Sequence, residues 1–285
     1  MSDAPDDSEI EGSRAPLMEH LIELRRRLIV SLVTYGVAVG FCLLFAKPLF
    51  VLMVHPFDVA QDVVAQQKAP GQHGQFDMML VMLGLKSVPA THHISMIYAA
   101  PLEQFLTYLK LAAIAGLVLA FPIIGYQLYR FIAPGLYKKE RNAFLPFLIA
   151  SPVLFVMGAA LVYFVMLPFV MVFSLGQQIE GVTQYLPRVD DYLKLATGLV
   201  LAMGLCFQLP VVLTLLAMAG LINAAALMSA WRYAIVGVFA VAALVTPPDP
   251  ISMLSLAVPI CLLYFVSIWC VKLIELRRGK DEGEG

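Results

Sequence analysis

Long apolar runs are the feature that most constrains this chain. Stretches of about 18 or more apolar residues recur along its 285 residues, and 60% of all residues are hydrophobic. In helical form such a run crosses the roughly 30 Å hydrocarbon core of a bilayer. The runs do not alternate as the strands of a transmembrane β-barrel do. The sequence therefore predicts an all-α, polytopic membrane protein.

Six transmembrane helices are predicted from these runs. We place them at residues 28–46, 104–128, 144–173, 192–222, 233–245 and 251–271. The fifth has only about 13 residues, roughly 20 Å at the helical rise, and ends at a proline-rich segment. A span this short predicts that the bilayer thins locally or that one end of the helix is recessed, and we favour thinning.

Lysine and arginine placement sets the predicted orientation. Thirteen of the 19 lie in the N-terminal segment, between the second and third spans, before the fifth span, or after the sixth. The other six lie on the opposite side. Because cations accumulate on the cytoplasmic side of membrane proteins, both termini are predicted to be cytoplasmic.

The chain divides into one membrane domain and two polar tails. Residues 1–15 form an acidic tail for which we predict disorder, 16–272 the six-span domain, and 273–285 a cytoplasmic C-terminal tail. A long outer loop is predicted at about 47–103. Within it the apolar segment 76–85 is too short to span, and it predicts a helix lying across the outer mouth.

Two segments at the cytoplasmic border each hold a glutamate among cations. The first, at 16–28, reads Pro-Leu-Met-Glu-His-Leu-Ile-Glu-Leu-Arg-Arg-Arg-Leu, and the second, at 131–141, reads Phe-Ile-Ala-Pro-Gly-Leu-Tyr-Lys-Lys-Glu-Arg. Taken singly, Glu23 suits a charge cluster that fixes topology, and Glu140 suits the positive end of a helix dipole. Together they predict a site for a basic ligand.

Gln208 is the polar residue within a span that most needs an explanation. It lies near the middle of the fourth span, before Pro210. An amide in hydrocarbon is costly unless it finds a hydrogen-bond partner. Two interpretations stay open: the amide satisfies a carbonyl of its own helix that Pro210 leaves free, or it meets a polar group on a partner helix.

No catalytic, metal-binding or cofactor-binding pattern is found. The four cysteines, at 42, 206, 261 and 270, lie in apolar runs and are expected to be small buried side chains. We therefore predict no enzymatic activity, no metal and no cofactor. The alternative function, a small-solute secondary transporter or channel, requires a buried charge or a discontinuous helix, and we expect neither.

Four motifs, in order along the chain, resemble the TatC family, the multispanning core subunit of the twin-arginine protein translocase. They are the segments 16–28 and 131–141, the segment 151–168 that ends at Pro168, and Val-Thr-Pro-Pro-Asp at 245–249. The resemblance covers about residues 16–272. It implies a glove-shaped helical bundle in the bacterial cytoplasmic membrane. It also implies a receptor and scaffold that binds twin-arginine signal peptides and exports folded proteins with the proton-motive force.

The resemblance also implies site residues and partners. The signal-peptide site would contain Glu23, Arg25, Phe131, Pro134, Glu140 and Arg141. Residues for partner contact or shape would be Pro56, Glu103, Gln208 and Asp249. The implied partners are single-span TatA- and TatB-like subunits, further copies of this chain and membrane lipid, with no nucleic acid. Many family members carry glutamate where this chain has Gln208, so a mechanism that needs ionisation there does not fit this chain.

Overall fold

The computed structural model of the chain describes residues 7–68, 95–132, 145–178, 186–246 and 250–281, and these are almost entirely helical. In chain order the α-helices are α1 (Asp7–Leu44), α2 (Ala46–Lys68), α3 (Glu103–Ile132), α4 (Leu145–Leu161), α5 (Leu167–Gly176), α6 (Val189–Cys206), α7 (Leu209–Met218), α8 (Ala224–Val245) and α9 (Pro250–Asp281). A π-helical turn, Val162–Met166, joins α4 to α5. The all-α prediction is confirmed.

Seven helical segments are long and apolar enough to cross a membrane, among the residues that the structure describes. Six of them overlap the predicted spans. The seventh, Ala46–Ala65, lies in α2, where the sequence predicted the start of the outer loop. Length and composition alone do not decide whether α2 crosses, so the count of six stays a prediction.

Helices α1 and α3 pack closely along their length. A Cβ atom on Gly116 of α3 would stand 2.8 Å from the backbone nitrogen of Val39 in α1. Only glycine allows two backbones to come this close, as at small-residue contacts between membrane helices. The rings of Phe50, just beyond the end of α1, and Tyr108, near the start of α3, are 5.8 Å apart. The two helices therefore run antiparallel.

Helices α4 and α6 meet through a second pair of glycines. A Cβ on Gly158 would lie 2.8 Å from the carbonyl oxygen of Met203, and one on Gly204 would lie 2.7 Å from the ring of Phe155. Residue numbers rise along α4 as they fall along α6 at these contacts, so this pair is also antiparallel. The main hydrophobic core forms around it, with α2, α5 and α9 contributing.

Two predicted spans differ from the structure. The fourth is not continuous, because α6 ends at Cys206 and α7 begins at Leu209, with Pro210 in the first turn of α7. The prediction that the fifth span has about 13 residues is wrong: α8 has 22 residues and begins after the capping residue Asn223. Arg232 suggested a later start, but its side chain lies exposed within the helix, with the guanidinium 5.6 Å from the Trp231 ring.

The tails also differ from the predicted boundaries. Helix α1 begins at Asp7, inside the segment 1–15 for which disorder was predicted, and α9 continues to Asp281, beyond the predicted end of the membrane domain at residue 272. The predicted helix at 76–85 lies outside the described residues. The boundaries were predicted from where the sequence becomes polar, but the helices continue into these polar segments.

Candidate functional site

The antiparallel α1–α3 pair brings two predicted site residues to the same end of the bundle. Glu23 precedes the crossing point at Val39 by about 16 residues, and Phe131 follows the crossing point at Gly116 by about 15. At the helical rise each lies roughly 23 Å from the crossing. Glu23 and Phe131 therefore reach a similar height, at the end predicted to face the cytoplasm.

Glu23 is a half-exposed carboxylate, with 37% of its side chain accessible. One of its partners is Arg27, one helical turn later, whose Nε donates to Glu23 Oε1 at 3.1 Å. Arg25 is exposed beside it. Arg27 was not among the predicted site residues, although the glutamate-to-arginine spacing of four residues is a known signal for an ion pair on a helix.

The other predicted binding residues, Pro134, Glu140 and Arg141, lie outside the described residues, as does Asp249. Phe131 is half-buried at the end of α3 and interacts with neighbouring groups. The described part of the site thus consists of the glutamate-arginine pair on α1 and the aromatic ring on α3.

Gln208 lies at the break between α6 and α7 and bonds to α4. Ser151 Oγ donates to Gln208 Oε1 at 2.7 Å, and Gln208 Nε2 donates to the Ser151 carbonyl at 3.0 Å. We call this pair the Ser151–Gln208 clamp. The amide thus contacts a neighbouring helix of the same chain, which neither interpretation of the sequence included.

The turn at Phe207 and Gln208 kinks this span without unwinding it, because the N–H groups of Phe207 and Val212 still donate to the Met203 and Gln208 carbonyls at 2.9 Å. Discontinuous helices in transporters expose backbone groups that hold ions or charged substrates. Here the side chains at the break are Phe207 and Gln208, and the amide of Gln208 pairs with another uncharged residue. The backbone groups around the kink thus keep helical partners, unlike those of the unwound segments in transporters.

Glu103 is a buried carboxylate at the opposite end of the bundle, with 7% exposure, although we expected no buried carboxylates. It accepts hydrogen bonds from the backbone N–H groups of Ala99 at 2.6 Å, Ala100 at 3.0 Å and Asp190 at 3.3 Å. Arg188 stands 4.0 Å away. Glu103 therefore ties the segment before α3 to the start of α6, where Ile97 and Arg188 also form a parallel bridge.

Pro56 is buried within α2, and the carbonyl that it leaves without a helical donor explains a tyrosine contact from another helix. Proline has no N–H, so the Leu52 carbonyl four residues earlier loses its helical donor. The hydroxyl of Tyr163, in the π-helical turn, donates to that carbonyl at 2.9 Å. The hydroxyl of Tyr192 in α6 donates to the neighbouring Met53 carbonyl at 2.7 Å.

No cluster of three or more His, Cys, Asp or Glu side chains suited to a metal ion occurs within the described ranges. The polar groups found there instead form ion pairs, interhelical hydrogen bonds and backbone contacts. Taken with the apolar helices, they define a polytopic helical membrane protein.

The family model described as "Sec-independent protein translocase protein (TatC)" matches residues 19–259. The chain belongs to the TatC family. It is therefore a membrane protein of the twin-arginine translocation system, with a role in protein transport. The resemblance stated from the sequence is confirmed.

Curated relatives and solved structures agree with this assignment. TatC of Magnetococcus marinus is 38% identical over 269 residues, which cover 94% of this chain and 88% of the relative. TatC of Aquifex aeolicus is 35% identical and covers 90% of this chain and 95% of its own. A crystal structure of the twin-arginine translocase receptor TatC matches with a TM-score of 0.69 at 33% identity, covering 89% of this chain and 98% of that one.

Proposed function

We propose that this chain is the signal-peptide receptor and scaffold subunit of a bacterial twin-arginine translocase. It binds the two arginines of a signal peptide at the cytoplasmic border with Glu23 and Glu140. It then assembles with TatA- and TatB-like single-span subunits and with further copies of itself, without catalysing a reaction. The observation that carries this proposal is the half-exposed Glu23 carboxylate at the same end of the bundle as Phe131.

The chemistry of Glu23 suits an arginine ligand. A carboxylate accepts two parallel hydrogen bonds from the planar guanidinium group, which lysine cannot supply. The pair between Glu23 and Arg27 is partly buried, with 14% of the Arg27 side chain and 37% of the Glu23 side chain exposed. A charge-assisted bond to an incoming arginine is worth about 1.5–3 kcal/mol. Arg27 keeps the carboxylate oriented, and the half-exposed Glu23 side chain remains accessible to an incoming arginine.

The proposed topology has six spans, with α2 lying across the outer border. Phe50, in the first turn of α2, contacts Tyr108 near the start of α3. Phe57, about two turns later, contacts Tyr192 near the start of α6, with ring centroids 5.9 Å apart. Successive turns of α2 thus touch the outer ends of two different spans. A helix crossing the bilayer would instead follow one neighbour downwards.

Binding of a twin-arginine precursor to Glu23→Gln, Glu140→Gln and the double variant tests the receptor function. These substitutions keep the shape and remove the charge. Each single variant should weaken binding by about ten- to a hundredfold, which corresponds to the loss of one charge-assisted contact. The double variant loses both contacts and should abolish crosslinking. Site-specific crosslinking of the precursor to the complex in native membranes measures the effect, and co-purification of the single-span subunits shows that assembly persists.

Two controls accompany this experiment. Asp191→Asn removes an exposed carboxylate at the opposite end of the bundle, and it should leave precursor binding unchanged. A precursor with two lysines should bind the unmodified protein less tightly than the twin-arginine precursor. Normal binding of the twin-arginine precursor by the double Gln variant would exclude the proposed site.

A further inference from the structure

A groove of about 500 Å³ opens at the outer end of the bundle. One wall is a face of α2, the other is the segment before α3, and Val189 of α6 lies at the base. Phe50, Val54, Phe57, Asp58, Ser95, Met96 and Tyr98 line these walls. The lining thus combines apolar and aromatic side chains with a half-buried carboxylate and a serine hydroxyl.

The groove lies near the outer border of the hydrocarbon core. Tyr163 contacts Leu52, between Phe50 and Val54, and it stands about 18 residues along from Leu145 at the start of α4. That distance is roughly 27 Å at the helical rise, close to the thickness of the core. Tyr98 and Tyr108 lie at the same end, as tyrosines do at membrane interfaces. Partial burial, aided by Tyr108 and Glu103, raises the pKa of Tyr98.

We propose that this groove binds the primary ammonium headgroup of a phospholipid in the outer leaflet. Aromatic ring faces attract cations, and Phe50 and Tyr98 both line the groove. The Asp58 carboxylate supplies the opposite charge and accepts hydrogen bonds from the ammonium protons. Val54 and Met96 provide apolar surface for the methylenes that carry the headgroup. Negatively charged headgroups are disfavoured by Asp58.

The ammonium group can bind Asp58 even though this carboxylate has another interaction within the chain. Asp58 already interacts within the chain, but an ionised carboxylate has two oxygens and about four acceptor positions. Since Asp58 lines the groove, we place the ammonium at one of these acceptor positions, beside the existing interaction. The site is independent of the signal-peptide proposal, because it lies at the opposite end of the bundle from Glu23.

Native mass spectrometry of the full chain tests the assignment. The protein is extracted from nanodiscs with equal parts of phosphatidylethanolamine, phosphatidylcholine and phosphatidylglycerol, and retained lipids are counted. The unmodified protein should retain phosphatidylethanolamine in preference to both others, and Asp58→Asn should reduce its retention about tenfold. Equal retention by the unmodified protein and Asp58→Asn, or preference for phosphatidylglycerol, would overturn the proposal.

Two further arms identify the source of the ammonium and guard against misfolding. Hexylamine should displace the retained phosphatidylethanolamine, whereas hexanol should not; binding of hexylamine without any retained lipid would show a site for free amines instead. Val54→Trp fills the groove without changing its charge and should also lower retention, so it tests the site if Asp58→Asn does not fold. Asp191→Asn, with 64% of its side chain exposed outside the groove, should retain lipid normally.

Discussion

At the scale of single residues, the Ser151–Gln208 clamp joins α4 to the break between α6 and α7 by two hydrogen bonds between uncharged groups. Hydrogen bonds between membrane helices contribute about 0.6 kcal/mol on average and up to about 1.7. Gln208→Leu removes both bonds and should destabilise the chain by about 1 kcal/mol. Ser151→Ala should cost less, because only the hydroxyl bond is lost. A double-mutant cycle, measured by denaturant unfolding in detergent, should give a positive coupling energy; simple additivity would show that the bond from the Ser151 hydroxyl contributes nothing.

The same two variants separate the clamp from a direct contact with a partner helix. If Gln208 acts by holding α4 against the break between α6 and α7, Ser151→Ala and Gln208→Leu should weaken assembly with single-span subunits in parallel. If Gln208 itself meets the partner, only Gln208→Leu should do so. Co-purification of the subunits with each variant measures the difference, and Gln208→Glu, the residue of many relatives, serves as the comparison.

Tyr163 and Pro56 form a second pair whose energies should depend on each other. Tyr163→Phe removes the hydroxyl that bonds the Leu52 carbonyl and should destabilise the protein by about 1 kcal/mol. In a Pro56→Ala background the helix regains its own N–H donor, so the same change should cost much less. Thermal unfolding of the four proteins measures this, with Tyr233→Phe, at an 82% exposed position, as the control. Equal costs in both backgrounds would contradict the explanation.

At the scale of elements, the α1–α3 crossing is the contact least tolerant of change. A Cβ on Gly116 would meet the backbone of Val39 at 2.8–2.9 Å, so Gly116→Ala must push two helices apart. Overpacking of this kind costs about 1–3 kcal/mol. Gly40→Ala on α1, where nothing lies within 4 Å, should instead leave stability almost unchanged. Unfolding curves measure the stability of both variants. Equal stabilities of Gly116→Ala and Gly40→Ala would mean that α1 and α3 move apart without an energetic cost.

The sequence predicted helices where apolar runs are long, but it could not locate their ends or breaks. Polarity marks the border of a membrane, whereas a helix continues until its hydrogen bonds stop, as α9 does to Asp281. Helix α2 was missed because its polar residues resemble a loop. The partner of Gln208 could not be predicted, because Ser151 lies 57 positions away and only tertiary packing brings them together.

The prediction of bilayer thinning at the fifth span changes for the same reason. It rested on a helix of roughly 20 Å, whereas the 22 residues of α8 extend roughly 33 Å at the helical rise. A helix of this length crosses an ordinary hydrocarbon core without thinning it. Lengthening α8 by two leucines at each end should therefore reduce transport no more than it reduces expression. Selective loss of transport, with expression retained, would restore the thinning hypothesis.

At the scale of the whole molecule, the described polar groups lie mainly at the two ends of the bundle. One end carries Glu23 with Arg27, and the other carries the bonds of Glu103 together with Lys110 and Lys194, which both bond Asp190. Glycine contacts and the Ser151–Gln208 clamp hold the helices between these ends. Such a bundle presents one polar surface to each side of the membrane, which suits a receptor that binds its ligand on one side.

The number of spans determines which side each polar end faces, and topology mapping measures it. With six spans and α2 across the outer border, the termini share the cytoplasmic side; with seven, they lie on opposite sides. In a variant lacking the four native cysteines, single cysteines at Ser13 and Gly283 should react with an impermeant maleimide only after the cells are permeabilised. Cysteines at Lys47 and Ser95, exposed positions beside α2 and α3, should react in intact cells. Labelling of Gly283 from outside, with Ser13 protected, would establish α2 as a seventh span.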